Sequence, residues 1–198
     1  MTGTPGWPVV LQHGAVTLRP IEGTDGRDWQ AVRERNIEWL RRWEATMPPG
    51  SSQRATGYRD VIRHLRKLAR EGASLPFAIE VDDQFSGQVT VNNVQRGSAQ
   101  SASVGYWLDQ RVAGRGIMPL AVAMVVDHCL GPVGLHRIEV CVRPENSNSL
   151  RVVEKLGLTE VGYAPRFLHI DGDWRDHRIF QVTAEDCPGG LVERVRRH

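Results

Sequence analysis

Lysine is nearly absent from this 198-residue chain: Lys67 and Lys155 are its only two, and the other 23 of 25 basic residues are arginine. Charge of one sign is lacking too, since 23 acidic residues leave a net charge of +2. That balance provides no uniform polybasic field, so direct nucleic-acid binding is not expected. Cysteine is scarce and odd in number: Cys129, Cys141 and Cys187 have no paired spacing. This excludes a disulfide framework and a zinc ribbon and points to a reducing, cytoplasmic compartment. The first residues show no charged-then-apolar export pattern. Long apolar runs are missing as well. The longest, Ile117 to Val126, is ten residues and contains Pro119, far short of a membrane span. A chain this long buries roughly 70% of its unfolded surface, enough for one core without staples.

What is present reads as alternating blocks of two periods. Residues 1–14 are rich in Gly and Pro and are expected to be a flexible leader. Val16 to Pro20 is a short apolar strand. From Asp25, apolar residues recur at helical spacing through Trp29, Val32, Leu40, Trp43 and Met47, until Pro48-Pro49-Gly50. A second amphipathic helix runs from Tyr58 to Ala69. Three strands joined by short turns follow, at Leu75–Val81, Phe85–Val94 and Ser103–Leu108. Ile117–Leu130 is apolar on several sides and so predicts a buried helix. Arg137–Val142 is a strand and Asn146–Leu156 a helix ended by Gly157. Leu158–Tyr163 and Asp173–Thr183 predict a closing pair of strands. The order gives an α+β fold with about seven strands, and the strand–helix–strand crossover requires at least one parallel pair.

The sharpest local feature is Arg111-Val-Ala-Gly114-Arg-Gly116, between a strand and the apolar helix. Main-chain N–H groups at a helix start have no intrahelical partner and lie at the positive end of the dipole. Two glycines let an anion such as a phosphate approach them. The same hexamer also serves as a tight strand-to-helix turn. Other phosphate loops are absent: Pro119 stands where G-x-G-x-x-G needs its third glycine, and no G-x-x-x-x-G-K-S/T exists. With no G-x-S-x-G, a Ser–His–Asp hydrolase has no support either.

Flanking segments sharpen the junction: Gly105-Tyr-Trp-Leu108 before it, then His136-Arg-Ile-Glu139, Pro144-Glu-Asn146 and Lys155-Leu-Gly157 after it. Together these resemble the GNAT N-acetyltransferase superfamily and, within it, the RimJ/RimL-type ribosomal-protein branch, from about Val16 to Thr183. The resemblance implies an N-acetyltransferase domain over residues 15–185, with residues 186–198 as a tail. It also implies a mostly antiparallel central sheet whose parallel strand pair splays apart around acetyl-CoA. Carried over, N–H groups around Arg111, Gly114, Arg115, Gly116 and Ile117 would bind pyrophosphate. Trp107 and Leu108 would pair with pantetheine, Gly105 would supply the bulge that parts the strands, and an N–H near Trp107 would polarise the thioester carbonyl.

Asn146 and Ser149 read from spacing alone as a helix cap and its partner. The resemblance adds that Asn146 contacts the cofactor arm and that Ser149 donates to the departing CoA thiolate. Glu44 lies where this branch places substrate-facing residues, which makes it the candidate base; its plain alternative is a solvated carboxylate at a helix end. His169 borders the implied acceptor groove. The cluster from His169 to His177 lacks a metal-ligand spacing, so no metal is expected, and Cys141 and Glu139 read as structural strand residues. The acceptor implied is a protein N-terminal α-amino group, with a small-molecule amine or a non-catalytic CoA-binding module as alternatives, in a monomer or homodimer. Residues 27–71 hold 11 basic and 6 acidic side chains, a basic face that is either solvated or turned to an acidic or RNA-associated acceptor.

Overall fold

A computed structural model describes residues 4–51 and 57–196. Its centre is one sheet of eight strands: β1 (Leu11–His13), β2 (Val16–Pro20), β3 (Leu75–Val81), β4 (Gln84–Gln95), β5 (Ser101–Leu108), β6 (Arg137–Val142), β7 (Thr159–Ile170) and β8 (Asp173–Thr183). They lie in the order β1-β2-β3-β4-β5-β6-β8-β7, antiparallel throughout except for the parallel pair β5–β6. The expected α+β class and the parallel pair are therefore present, and the sheet has one strand more than expected. The extra strand, β1, falls in the segment read as a leader. Its alternation is too short to register as a pattern, yet Leu11 to His13 pairs with Leu18 to Val16. Just upstream, Trp7 meets Phe77 edge-on, with ring centroids 4.9 Å apart.

Among the described residues six α-helices flank the sheet: α1 (Gly26–Arg35), α2 (Ile37–Leu40), α3 (Tyr58–Arg70), α4 (Ile117–Leu130), α5 (Ser147–Leu156) and α6 (Leu191–Arg196). The crossover helix α4 buries ten residues, which accounts for its nearly unbroken apolar sequence. It lies in the main core with Leu75, Phe77 and Val89 of the sheet and Val153 and Leu156 of α5. A smaller cluster of Ile21, Val32, Ile62, Ala78 and Phe85 holds α1 and α3 to the sheet.

The helix expected to run on from Asp25 to Met47 breaks at Asn36. This residue is 2% exposed, and its side-chain amide donates to the Val32 carbonyl at 2.7 Å. An asparagine competing for helix carbonyls is a recognised helix interrupter. After the single turn of α2, the chain runs out to Ala45, which bridges to Ile170 on β7.

Beyond β8 the chain returns to the core. Asp127 of α4 accepts hydrogen bonds from the Leu191 and Val192 N–H groups at 2.6 and 3.0 Å, capping α6 from another helix. Replacing Asp127 by alanine strands both donors. We expect a loss of about 1–2 kcal/mol in a urea titration, with an unchanged slope on denaturant concentration.

Candidate active site

The site begins where two strands part. β5 and β6 pair only over Ser101–Ser103 and Arg137–Glu139. Beyond that, β5 stays on β4 as far as Leu108, while β6 stays on β8 as far as Val142. Opposite the last paired residues β4 carries an irregularity between Asn92 and Gln95, with Asn93 at φ +54°. Such a bulge bends its strand and raises the local twist, turning β5 away from β6. The expectation that Gly105 supplies the bulge is thus corrected. Gly105 sits in regular register opposite Thr90, and the extra residue belongs to β4.

Into the gap opens a cleft of about 540 Å³. Of the residues singled out from sequence, Glu44, Trp107, Leu108, Gly114, Gly116, Ile117, Asn146 and Ser149 line it; Arg111 and Arg115 do not. Gly114 and Gly116 adopt φ +79° and +78°, and a Cβ on either would meet nothing within 4 Å. The glycines here answer to backbone conformation and to the open space beside it. From Gly114 through Met118, five consecutive main-chain N–H groups have no protein partner among the described residues. They sit at the amino end of α4, where the dipole is positive. The Arg111 N–H is not among them, because it donates to Asp109 Oδ1 at 3.2 Å. Arg151 and Lys155 add positive charge to the lining. This set suits a polyphosphate, which needs several N–H donors, a close main-chain approach and nearby cations.

The free edge of β5 provides a second kind of contact. The Asp109 N–H donates to the Ser86 carbonyl on β4 at 2.7 Å. Strand residues alternate, so Trp107 turns its main-chain groups toward β4 as well, leaving those of Tyr106 and Leu108 for the open edge. Sequence reading had no signal for Gly87 of β4, where a Cβ would collide with the Trp107 carbonyl oxygen. A glycine there lets β4 press β5 into place.

Asp109 and Asn36 form a knot under the loop that sequence reading also missed. Asp109, 3% exposed, accepts from Arg35 at 2.5 and 3.0 Å and from the Asn36 amide at 2.9 Å. Asn36 in turn accepts from the Gln110 N–H at 3.0 Å. Burial alone would raise the Asp109 carboxyl; Arg35, Asn36 and the Arg111 N–H outweigh it and hold the group below its ordinary value. The anion loop is thereby tied to the α1–α2 break. An acidic residue next to an expected anion site was the available clue.

At the other end, the Asn146 side-chain Oδ1 caps α5 by accepting from the Ser149 N–H at 3.1 Å. Capping and facing the cleft coexist here. The Tyr106 hydroxyl is buried with no partner at hydrogen-bonding geometry, and its neighbour is the Ser149 hydroxyl. Burial pushes this phenol up to about 12, with Ser149 pulling slightly the other way.

Both oxygens of Glu44 are held by Arg33, at 2.5 and 2.6 Å, and the guanidinium also stacks over Trp29 and Trp107 with centroid distances of 4.7 and 5.5 Å. Glu44 and Leu40, which line the cleft, also line a second cavity of about 300 Å³ beside α1 and α2. His169 lies outside both cavities. Its ring Nδ1 shares a hydrogen bond with the Thr46 hydroxyl at 2.8 Å, and its carbonyl accepts the Thr46 N–H at 2.8 Å, pinning the loop after α2 to β7. Among the described residues no group of three or more His, Cys, Asp or Glu is arranged to hold a metal, and no helix is long and apolar enough to cross a membrane.

Comparison with known proteins agrees with this geometry. Residues 15–159 match the family model described as the acetyltransferase (GNAT) domain. The solved structure of Mycobacterium smegmatis RimJ in complex with CoA-disulfide is 39% identical, with a TM-score of 0.91, covering 98% of this chain and 96% of that one. The Escherichia coli [ribosomal protein uS5]-alanine N-acetyltransferase is 28% identical over 184 residues, 92% of this chain and 94% of the relative. The ribosomal-protein-S5-alanine acetyltransferase of Vibrio fischeri is 27% identical, with a TM-score of 0.79, over 90% of this chain and 98% of that one.

The Asp109 knot makes a prediction about pH. Its folded-state carboxyl lies below the ordinary 3.8, so its contribution is full above that pH and fades as the pH falls through the lower folded value. Asp109→Ala is expected to lose about 2–3 kcal/mol at pH 7 in urea titrations. The gap from wild type should narrow below about pH 4, the ordinary carboxylate range.

Proposed function

This chain belongs to the GNAT acetyltransferase family, and from that premise we propose that it transfers the acetyl group of acetyl-CoA to a protein N-terminal α-amino group of the ribosomal-protein type. The observation that carries the cofactor half is the run of five unpartnered N–H groups at the head of α4, beside the free edge of β5. In this reading the Gly114, Arg115, Gly116, Ile117 and Met118 N–H groups hold the pyrophosphate, the Tyr106 and Leu108 main chain pairs with the pantetheine arm, and Asn146 flanks it.

Acetyl-CoA supplies an activated acyl group on a sulfur that leaves with the bonding electron pair. The chain's own part is to bind, align and screen. The free main-chain groups at the β5 edge put one N–H donor beside the carbonyl oxygen, where it stabilises charge that develops during attack. The Ser149 hydroxyl donates a hydrogen bond to the sulfur as the C–S bond breaks. The docked ammonium first gives one proton to water in the cleft. The neutral nitrogen then forms the new C–N bond as the C–S bond breaks, and the second proton it loses ends on the departing CoA thiolate, which leaves as the thiol.

Glu44 stands at the rim shared by the two cavities, with both oxygens on Arg33. With both oxygens already hydrogen-bonded to Arg33, the carboxylate is held as a fixed negative group at the cleft, and its role here is to anchor the acceptor's ammonium group as it docks. The second cavity then receives the residues that follow the amine. Relatives named as ribosomal-protein-alanine N-acetyltransferases support a polypeptide acceptor.

The test is release of free CoA with a panel of N-terminal peptides against a library of polyamines, amino acids and aminoglycosides. We expect turnover with peptides carrying a free α-amino group and none with the same peptides already acetylated. Turnover with small amines alone would assign the second cavity to a small molecule and overturn the protein acceptor.

A further inference from the structure

Tyr106 is the one cleft-lining residue whose buried polar atom has no partner among the described residues. The other two such atoms, Trp29 Nε1 and Gln181 Oε1, belong to residues that do not line the cleft. A buried hydroxyl left unsatisfied is costly to the folded state, and groups of this kind persist where a function needs them.

The placement of Tyr106 is specific. It sits on β5 three residues beyond the last pair with β6, and its ring packs against the main core. Its hydroxyl neighbours that of Ser149 in the first turn of α5. The Ser149 main chain is fixed by its N–H bond to the Asn146 side chain, and Ser149 itself is half-buried, so its hydroxyl is not among the buried unpartnered atoms. The two hydroxyls differ chemically. The phenol is the stronger donor and is held neutral by burial, while the serine hydroxyl turns freely about χ1.

We propose that Tyr106 is a positioning residue: its O–H donates to Ser149 Oγ, which turns the Ser149 hydrogen away from β5 and toward the sulfur of the departing thiolate. The inference rests on the reading of Ser149 given above. Tyr106 keeps its proton throughout. It directs a hydrogen bond and polarises it, since a hydroxyl that accepts one bond donates a stronger one. The two hydroxyls are neighbours that stop short of hydrogen-bond geometry, and catalytic hydrogen bonds commonly tighten when substrate is bound.

The experiment is a double-mutant cycle on the full chain with Tyr106→Phe, Ser149→Ala and the double variant, assayed with the best acceptor from the peptide panel. Calorimetric Kd for CoA and the apo melting temperature are read in parallel. Tyr106→Phe should lower kcat about 3- to 10-fold, the worth of one hydrogen bond. It should leave the Kd for CoA within about twofold and not lower the apo Tm, because the hydroxyl it removes satisfies nothing in the apo protein. In the Ser149→Ala background the same change should have no further effect.

If Ser149→Ala is slow while Tyr106→Phe turns over like wild type, the proposal fails and the Ser149 reading stands. If Ser149→Ala itself turns over like wild type, the reading fails and takes the proposal with it. Multiplicative losses in the double variant overturn the proposal, because Tyr106 would then act independently of Ser149. A marked rise in the Kd for CoA assigns the hydroxyl to cofactor binding instead. A fall in apo Tm beyond about 4 °C, more than the loss of one hydrogen bond shifts a chain of this size, makes its role structural.

Discussion

Strands β5 and β6 pair over three residues and then separate, and every functional feature of the molecule depends on that separation. Each strand is held on its far side by an antiparallel neighbour that continues past the fork, so the gap does not close. The bulge in β4 provides the bend. Unpaired strand edges are normally a liability; here the free edge of β5 faces a cleft floored by the amino ends of α4 and α5. A thioester cofactor with an amide-rich arm and a pyrophosphate needs an unpaired strand edge continuing into unpaired helix donors.

The helical side of the molecule is fastened to this fork by polar groups rather than by packing alone. Asn36 breaks the first helix and uses the same amide group to reach Asp109, while Arg35 closes on the other carboxylate oxygen. A helix break and a loop anchor are one structural event. It orients the α1–α2 segment, so that Leu40 and Glu44 bound both cavities. On the proposed function, this holds the acceptor side and the cofactor side in fixed register, as a direct transfer without a covalent enzyme intermediate requires.

Much of this was legible in the chain. Ile117–Leu130 is a helix because ten of its residues must be buried, and the sequence shows that on every side. Gly157 at φ +65° ends α5 where a left-handed cap was expected, and Asn146 caps it at the other end. The glycines of the hexamer from Arg111 to Gly116 mark a strand-to-helix loop, and Gly114 and Gly116 take positive φ there. What stayed hidden depends on distant partners. β1 is three residues long, and only its pairing with β2 identifies it. Asn36 sits at a position that apolar periodicity passes over, and its partners lie 73 and 74 residues away. Gly87 matters only because β5 presses against it, and Tyr106, which the sequence shows only within the Gly105–Leu108 flank, stands out through a buried hydroxyl with no partner among the described residues.

The central claim is that the free edge of β5 and the five N–H groups from Gly114 to Met118 form the cofactor cradle. Residue-resolved amide hydrogen exchange with and without saturating CoA tests it most directly. Slowed exchange at 114–118 and at Tyr106 and Leu108, with α6 unchanged, is the predicted result. Unchanged exchange at 114–118 while CoA is bound, or protection confined to another surface, would contradict it.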